Sequence, residues 1–158
     1  MVTELVPHKR TDLALEAARR AGVPLKVAGD GPDRRRLETM YGSEVEFLGR
    51  LRDGELAALY ARARAVVMPN VEEFGIVAVE AQAAGRPVIA ADAGGARETV
   101  LDGETGVLFP PGDVDRLAEA LRYMDFDRFR PEPMVKHAAR FSPVAFRKRL
   151  MGEVARLM

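Results

Sequence analysis

Two carboxylates, Glu72 and Glu80, close the ends of the stretch "EEFGIVAVE", with seven residues between them and a glycine, Gly75, among those seven. The apolar run after Gly75 predicts a helix. Glu80 then falls about one and a half turns in, roughly 7–8 Å along the axis. A carboxylate set among Ile76, Val77, Ala78, Val79 and Ala81 is costly to bury unpaired. It must reach water at an edge or meet donors. A ribose 2′,3′-diol offers two hydroxyl donors side by side, which suits one carboxylate. An arginine at a sheet edge is the alternative, and spacing alone leaves the two even. Glu72, before the helix, would face the far end of the same ligand. The helix N-terminus between them attracts phosphate.

These residues need a scaffold that brings loops to one edge. The chain alternates short apolar runs with helical patterns. Strands are expected at Val2–Leu5, "LKVA", "VEFL", "AVVM", "PVIAA" and "TGVLF". Thr11 is expected to cap a helix that buries Leu13, Ala14, Ala17, Ala18 and Ala21, and Gly22 to stop it. Further helices are expected from about Asp33 to Met40, after a cap at Asp53, after Gly75, within "DVDRLAEALRYM", and over about 133–140 and 143–157. "DFDRFRPEP" reads as an irregular connector. The alternation implies an α/β domain with right-handed crossovers and a mostly parallel sheet. "AVVM" and "PVIAA" are apolar throughout, as strands covered on both faces must be.

Ligands in such sheets sit beyond the carboxyl ends of the strands. That directs attention to the loops "VPHK", "GDGP", "GRLR", "PNVEEFG" and "DAGG". Gly29, Asp30 and Gly31, like the glycines of "DAGG", let backbone amides approach a ligand. Lys9 and Arg10 supply positive charge after the first strand. A glycine after a strand is more often a simple turn, and a basic pair more often a solvated surface. Here the loops share one edge, which raises their joint weight.

Composition sets further limits. The 158 residues, 47% apolar and 30% charged, fit one soluble globular domain of zero formal net charge. Zero charge argues against nucleic acid as a bulk partner. The absence of cysteine excludes disulfides, zinc fingers and thiol catalysis. No apolar run approaches a membrane span, no signal peptide is evident, and the cytoplasm is the expected location. The histidines are His8 and His137, which offers little to a nucleophilic triad; His137 reads as a surface helix residue. Asp30, Asp33, Glu72 and Glu73 are scattered over turns, which argues against a metal site. A dinucleotide-binding fingerprint is absent, because "VPHKRTD" holds no glycine.

The segment "EEFGIVAVEAQAAGRPVIAADAGGARETVLDGETGVLFPPGDVDRLAEAL" resembles the donor-binding half of retaining glycosyltransferases of family 4, with the GT-B fold. "VPHKRTDLALEAA", "VAGDGPDRRRLE" and "VEFLGRLRDGELAALYARARAVVMPN" are similar to the family's remaining blocks, in order. The resemblance implies a Rossmann-like, doubly wound parallel sheet of about six strands in three α/β/α layers, filling residues 1–158 as one nucleotide-sugar-binding domain. It also implies that an amino-terminal, acceptor-binding half is absent, and that Met1 is an introduced residue at or inside the first strand.

Residue by residue, the resemblance implies that Glu80 binds the ribose and Glu72 the donor sugar. Backbone amides at Phe74, Gly75 and Ile76 would hold sugar and phosphate. Lys9 would contact the diphosphate, and Arg50 and Leu51 would border the base. The implied reaction is hexosyl transfer from a nucleotide-sugar with retention, without cofactor or metal. The donor is GDP-mannose or a UDP-sugar, with a slight lean to the former. The other half of the enzyme is the implied partner, and peripheral membrane association of the full-length enzyme and self-pairing through the exposed face are both compatible with it. Glu4 stands where the family usually carries an arginine for the diphosphate, and Arg10 is a weak substitute. A nucleotide-sugar sensor without catalysis is the alternative.

Overall fold

The computed structural model describes residues 1–157. Helix α1 (Thr11–Ala21) is followed by β1 (Leu25–Ala28), α2 (Arg34–Tyr41), β2 (Val45–Gly49), α3 (Asp53–Arg62) and β3 (Val66–Met68). Then come α4 (Ile76–Ala83), β4 (Val88–Ala91), α5 (Ala96–Thr99), β5 (Gly106–Phe109), α6 (Val114–Tyr123), α7 (Pro131–Ala139) and α8 (Pro143–Leu157). All strand pairs are parallel: β1 with β2, and β3, β4 and β5 in that order.

The apolar strands serve two cores by simple alternation, since successive side chains point to opposite faces. Val67, Ile89 and Ala91 join Leu13, Leu15 and Ala17 of α1, Leu37 of α2 and Leu117 of α6. Val66, Met68, Val88 and Ala90 join Tyr60 of α3, Ala78 and Ala81 of α4 and Ala96 of α5. Three layers result. The face expected of α1 is buried in full, and Gly22 stops the helix in a left-handed conformation at φ 68°. Side chains at that angle are strained, which is why glycine stands there.

Several expectations need correction. The sheet is not one body of about six strands but two sheets of two and three. Val2–Leu5 runs extended beside β1, with one isolated parallel bridge from Val2 to Ala28 and backbone bonds from Thr3 to Ala28 and from Leu5 to Asp30. That contact is too short to join β1 to β3. The facing edges at Leu25 and Ala65–Val67 instead flank a concavity of about 510 Å³ beside Met1. Thr11 is not a cap: it is the first residue of α1, and its Oγ1 is buried without a partner. Arg10 takes the capping position at φ 50°. Arg52, not Asp53, precedes α3, and its amide donates to Glu55 Oε2 at 2.9 Å. The "DFDRFRPEP" connector holds a 3-10 turn at Phe126–Arg128, and α7 begins earlier than expected, at Pro131, where a proline suits the first helical turn.

His137 is not a surface residue. It is 5% exposed, because α7 packs against α4 and turns the imidazole inward against Phe141, ring centroids 5.3 Å apart. Helix α8 buries no residue and exposes Val144, Phe146, Leu150, Met151 and Val154. No helix among the described residues is long and apolar enough to cross a membrane.

Candidate functional site

The loop after β3 and the helix α4 form the centre of the carboxyl edge. Gly75 sits at the head of α4 at φ 80°, a left-handed angle that lets the chain turn sharply from the "EEF" loop into the helix. No side chain caps α4. Its leading amides, at Ile76 and Val77, therefore point out of the helix without a side-chain acceptor, as an anion site requires. Phe74 and Ile76 flank them and are 45% and 63% exposed. Phe74 is fixed edge-on against Phe141 at 5.7 Å.

Glu80 is exposed rather than sunk in the apolar run. Its Oε2 accepts from the Tyr60 hydroxyl at 2.9 Å, and it forms no ion pair among the described residues. Of the two readings of its spacing, the arginine partner is not realised. Tyr60 itself is 4% exposed, and burial first, then the Glu80 charge, pushes its phenol up, so it remains a donor. A hydroxyl held from α3 thus orients one edge of the carboxylate and leaves the other available to a diol.

Glu72 is tied to Lys9. The Lys9 ammonium donates to Glu72 Oε1 at 2.6 Å, and the Asn70 amide donates to the same oxygen at 2.7 Å. Partial burial pushes the Glu72 carboxyl up, but the bonds from Lys9 and Asn70 outweigh it, and the group sits below the usual carboxylate range. Lys9, in a 3-10 turn at Pro7–Lys9, and Glu72, sixty-three residues on, meet at the edge where the sequence pattern assigned both. Tyr60 and Asn70 were not singled out. Tyr60 reads only as part of an apolar helix face. Asn70 could have been found as a polar residue closing a strand at the ligand edge.

The remaining loops behave differently. Gly95 donates to the Glu72 carbonyl at 2.7 Å, and a Cβ there would stand 2.5 Å from the Phe74 backbone. The "DAGG" glycines therefore seat the "EEF" loop. At Gly29 a Cβ would lie 1.7 Å from the Thr3 carbonyl oxygen, and at Gly31 2.4 Å from that of Leu5. Their amides are engaged, Gly29 with the Gly49 carbonyl at 2.7 Å and Gly31 with Asp30 Oδ1 at 2.9 Å. Their close approach is to the chain itself. Arg10 reaches Asp12 at 3.4 Å rather than a neighbouring loop. Arg50 is exposed and Leu51 half-buried in the loop after β2. No three His, Asp or Glu side chains gather to hold a metal ion among the described residues.

Residues 1–141 match the model of the glycosyl transferases group 1 family. The chain belongs to this family. A GDP-mannose-dependent alpha-(1-6)-phosphatidylinositol monomannoside mannosyltransferase of Mycobacterium tuberculosis is 37% identical over 84% of the chain. The sulfoquinovosyl transferase SQD2 of Arabidopsis thaliana is 40% identical over 70%. Among solved structures, Anabaena HepE in complex with UDP superposes with a TM-score of 0.80 at 27% identity over 98% of the chain. Almost the whole chain thus shares its fold with part of HepE. The chain spans 39% of that mannosyltransferase, 22% of the sulfoquinovosyl transferase and 48% of HepE.

Proposed function

We propose that this chain is the donor-binding half of a retaining glycosyltransferase and that its carboxyl edge takes a nucleoside diphosphate sugar. The carrying observation is one segment, "EEFGIVAVE", in which an uncapped helix N-terminus lies between two hydrogen-bonded carboxylates. In this reading the amides of Ile76 and Val77 receive the diphosphate, and the Glu80 oxygens not held by Tyr60 accept from the ribose diol. Glu72 meets the sugar hydroxyls, while Arg50 and Leu51 border the base. Gly29, Asp30 and Gly31 support the edge from behind rather than touch the donor.

The Lys9–Glu72 pair gives the site a starting state. Without donor, the two charges neutralise each other. A diphosphate entering beside α4 competes for Lys9 and releases a Glu72 oxygen for the sugar. In the transfer, the bond from the anomeric carbon to the diphosphate oxygen breaks with its electron pair on the departing diphosphate. The acceptor hydroxyl oxygen bonds that carbon on the same face and gives up its proton to an oxygen of the departing diphosphate. Lys9 and the α4 amides stabilise the charge that develops on the leaving group, a role that preorganised donors fill without a metal.

A full enzyme needs an acceptor site, which we assign to a second half of a longer protein. The exposed Val71, Phe74 and Ile76 at the carboxyl edge, and the apolar residues of α8, suit contact with it. The same surface would favour self-pairing of the isolated chain. Taken alone, the chain should bind donor and transfer nothing, because proximity to acceptor is worth up to ~7–11 kcal/mol of the barrier and is not supplied. We further infer a cytoplasmic enzyme, with any membrane association peripheral. The relatives leave the base open, since one is named for GDP-mannose and another is seen with UDP.

The test is a thermal-shift panel of GDP, UDP and ADP with their sugars. A ligand at 100 times its dissociation constant adds about 2.7 kcal/mol. We expect one base to stabilise the chain, and no stabilisation by any nucleotide would overturn the reading. Robust sugar transfer by the purified chain to lipid or oligosaccharide acceptors would overturn the two-half assignment alone.

A further inference from the structure

The opposite end of the sheet carries a second concavity, of about 300 Å³, at the amino ends of β3 and β4. Arg62 from the end of α3, Arg64 just before β3, Arg86 just before β4 and Arg130 at the head of α7 all line it. Asp127 is the acid in the lining. Several arginines elsewhere are matched with carboxylates, as in Arg19 with Glu16, Arg36 with Asp33 and Arg97 with Asp92. None of the four lining guanidinium groups forms an ion pair among the described residues.

The arrangement is held from several sides. Arg64 lies over the Phe126 ring, 5.3 Å from its centroid, and the Arg62 Nε donates to the Ala58 carbonyl at 3.3 Å. Gly85, at φ 71°, turns the chain so closely beneath Pro131 that a Cβ would stand 3.0 Å from the proline ring. That turn sets Arg86 in the floor, where its Nε is withdrawn from water with no partner. The rest of the Arg86 side chain stays accessible and adds its charge to the lining.

The geometry points to a second anion site here, specific for phosphate groups and separate from the donor edge. Guanidinium forks match phosphate oxygens in pairs. The space is about that of ten liquid waters at ~30 Å³ each, enough for a phosphorylated sugar or a diphosphate. The site lies at the opposite end of α4 from Gly75, because the strands run from it toward the "EEFG" loop. A soluble phosphate ester and the headgroup of an anionic lipid share this chemistry.

The experiment is an amide-resolved NMR titration of the chain with inorganic pyrophosphate. It is run beside cosedimentation with phosphatidylglycerol vesicles, against phosphatidylcholine. We expect pyrophosphate to shift the amides of Gly85, Arg86 and Arg130, with affinity at those amides falling at least tenfold in the Arg64→Ala/Arg130→Ala double variant. Shifts at Ile76 and Val77 should be the same in both proteins. Vesicle binding that the double variant loses, without pyrophosphate shifts at the three amides, would assign the site to a lipid headgroup. Three outcomes would overturn the site: binding in neither arm, shifts confined to Ile76 and Val77, or an equal loss in the control Arg35→Ala/Arg116→Ala, which removes the same charge elsewhere.

Discussion

The "GDGP" and "EEFG" loops begin alike and end differently. Each follows a strand at the carboxyl edge, each places glycine at a left-handed or extended positive φ, and each leads into a helix. In "GDGP" the amides of Gly29 and Gly31 are consumed by Gly49 and Asp30, and the glycines exist because Thr3–Leu5 runs hard against them. In "EEFG" the helix head has no side-chain cap, and a Cβ at Gly75 would meet the flexible end of Met68 at 3.2 Å and the Thr99 hydroxyl at 3.8 Å, with no backbone in the way. A glycine after a strand therefore marks a close approach, but not by what. The loop proposed to face the donor is the one whose helix-leading amides have no side-chain cap.

The largest effects should separate these loops by stability. Gly29→Ala, with backbone 1.7 Å from the new Cβ, should destabilise the fold by about 3 kcal/mol or more, read as a fall in the urea midpoint. Gly75→Ala should cost only the ~1–2 kcal/mol of left-handed strain, because Met68 can move. The reverse order would break the comparison.

Next in size is binding. Glu80→Gln should weaken nucleoside diphosphate affinity by roughly 1.5–3 kcal/mol, the worth of a hydrogen bond to a charged group. Asp30→Asn should leave it nearly unchanged, since Asp30 serves the Gly31 amide. Calorimetry that gave equal losses would merge the two loops into one site.

A double-mutant cycle on Lys9→Ala and Glu72→Ala sharpens the picture within the "EEFG" side. Their 2.6 Å contact should give a coupling of about 1 kcal/mol in unfolding free energy. Strict additivity would mean that the pair does not set the starting state.

The smallest effect is one of pH. Burial, then the nearby Arg140 charge, holds His137 below its ordinary value of 6.5. The unfolded chain then binds the proton more readily, so His137 contributes stability that is present above pH 6.5 and lost as pH falls through its lowered value. Melting temperature should drop across that window in the parent chain and less so in His137→Gln. An unchanged profile would remove His137 from the account.

The layered fold was legible because strand and helix periods differ and the strands "AVVM" and "PVIAA" are apolar on both faces. The helix ends were less legible. Thr11 and Asp53 are good capping types, yet backbone geometry at Arg10 and Arg52 took the position. His137 misled because a histidine in a polar helix carries no mark of the helix that will cover it. Val2–Leu5 has a strand's composition, but a ladder also needs a partner at matching register over more than one residue.

The sequence by itself determined the α/β alternation, the edge where Lys9 and Glu72 would meet, and the helix start at Gly75. Those follow from local periods, from glycine's tolerance of positive φ, and from the rule that parallel strands end at one edge. Tertiary structure alone decided that Tyr60, twenty residues earlier, would hold Glu80, and that Lys9, sixty-three residues earlier, would reach Glu72. It also decided that the glycines of "GDGP" would serve the backbone. Hydrogen-bond partners distant in sequence are set by how helices pack on the sheet, and no local pattern encodes that packing.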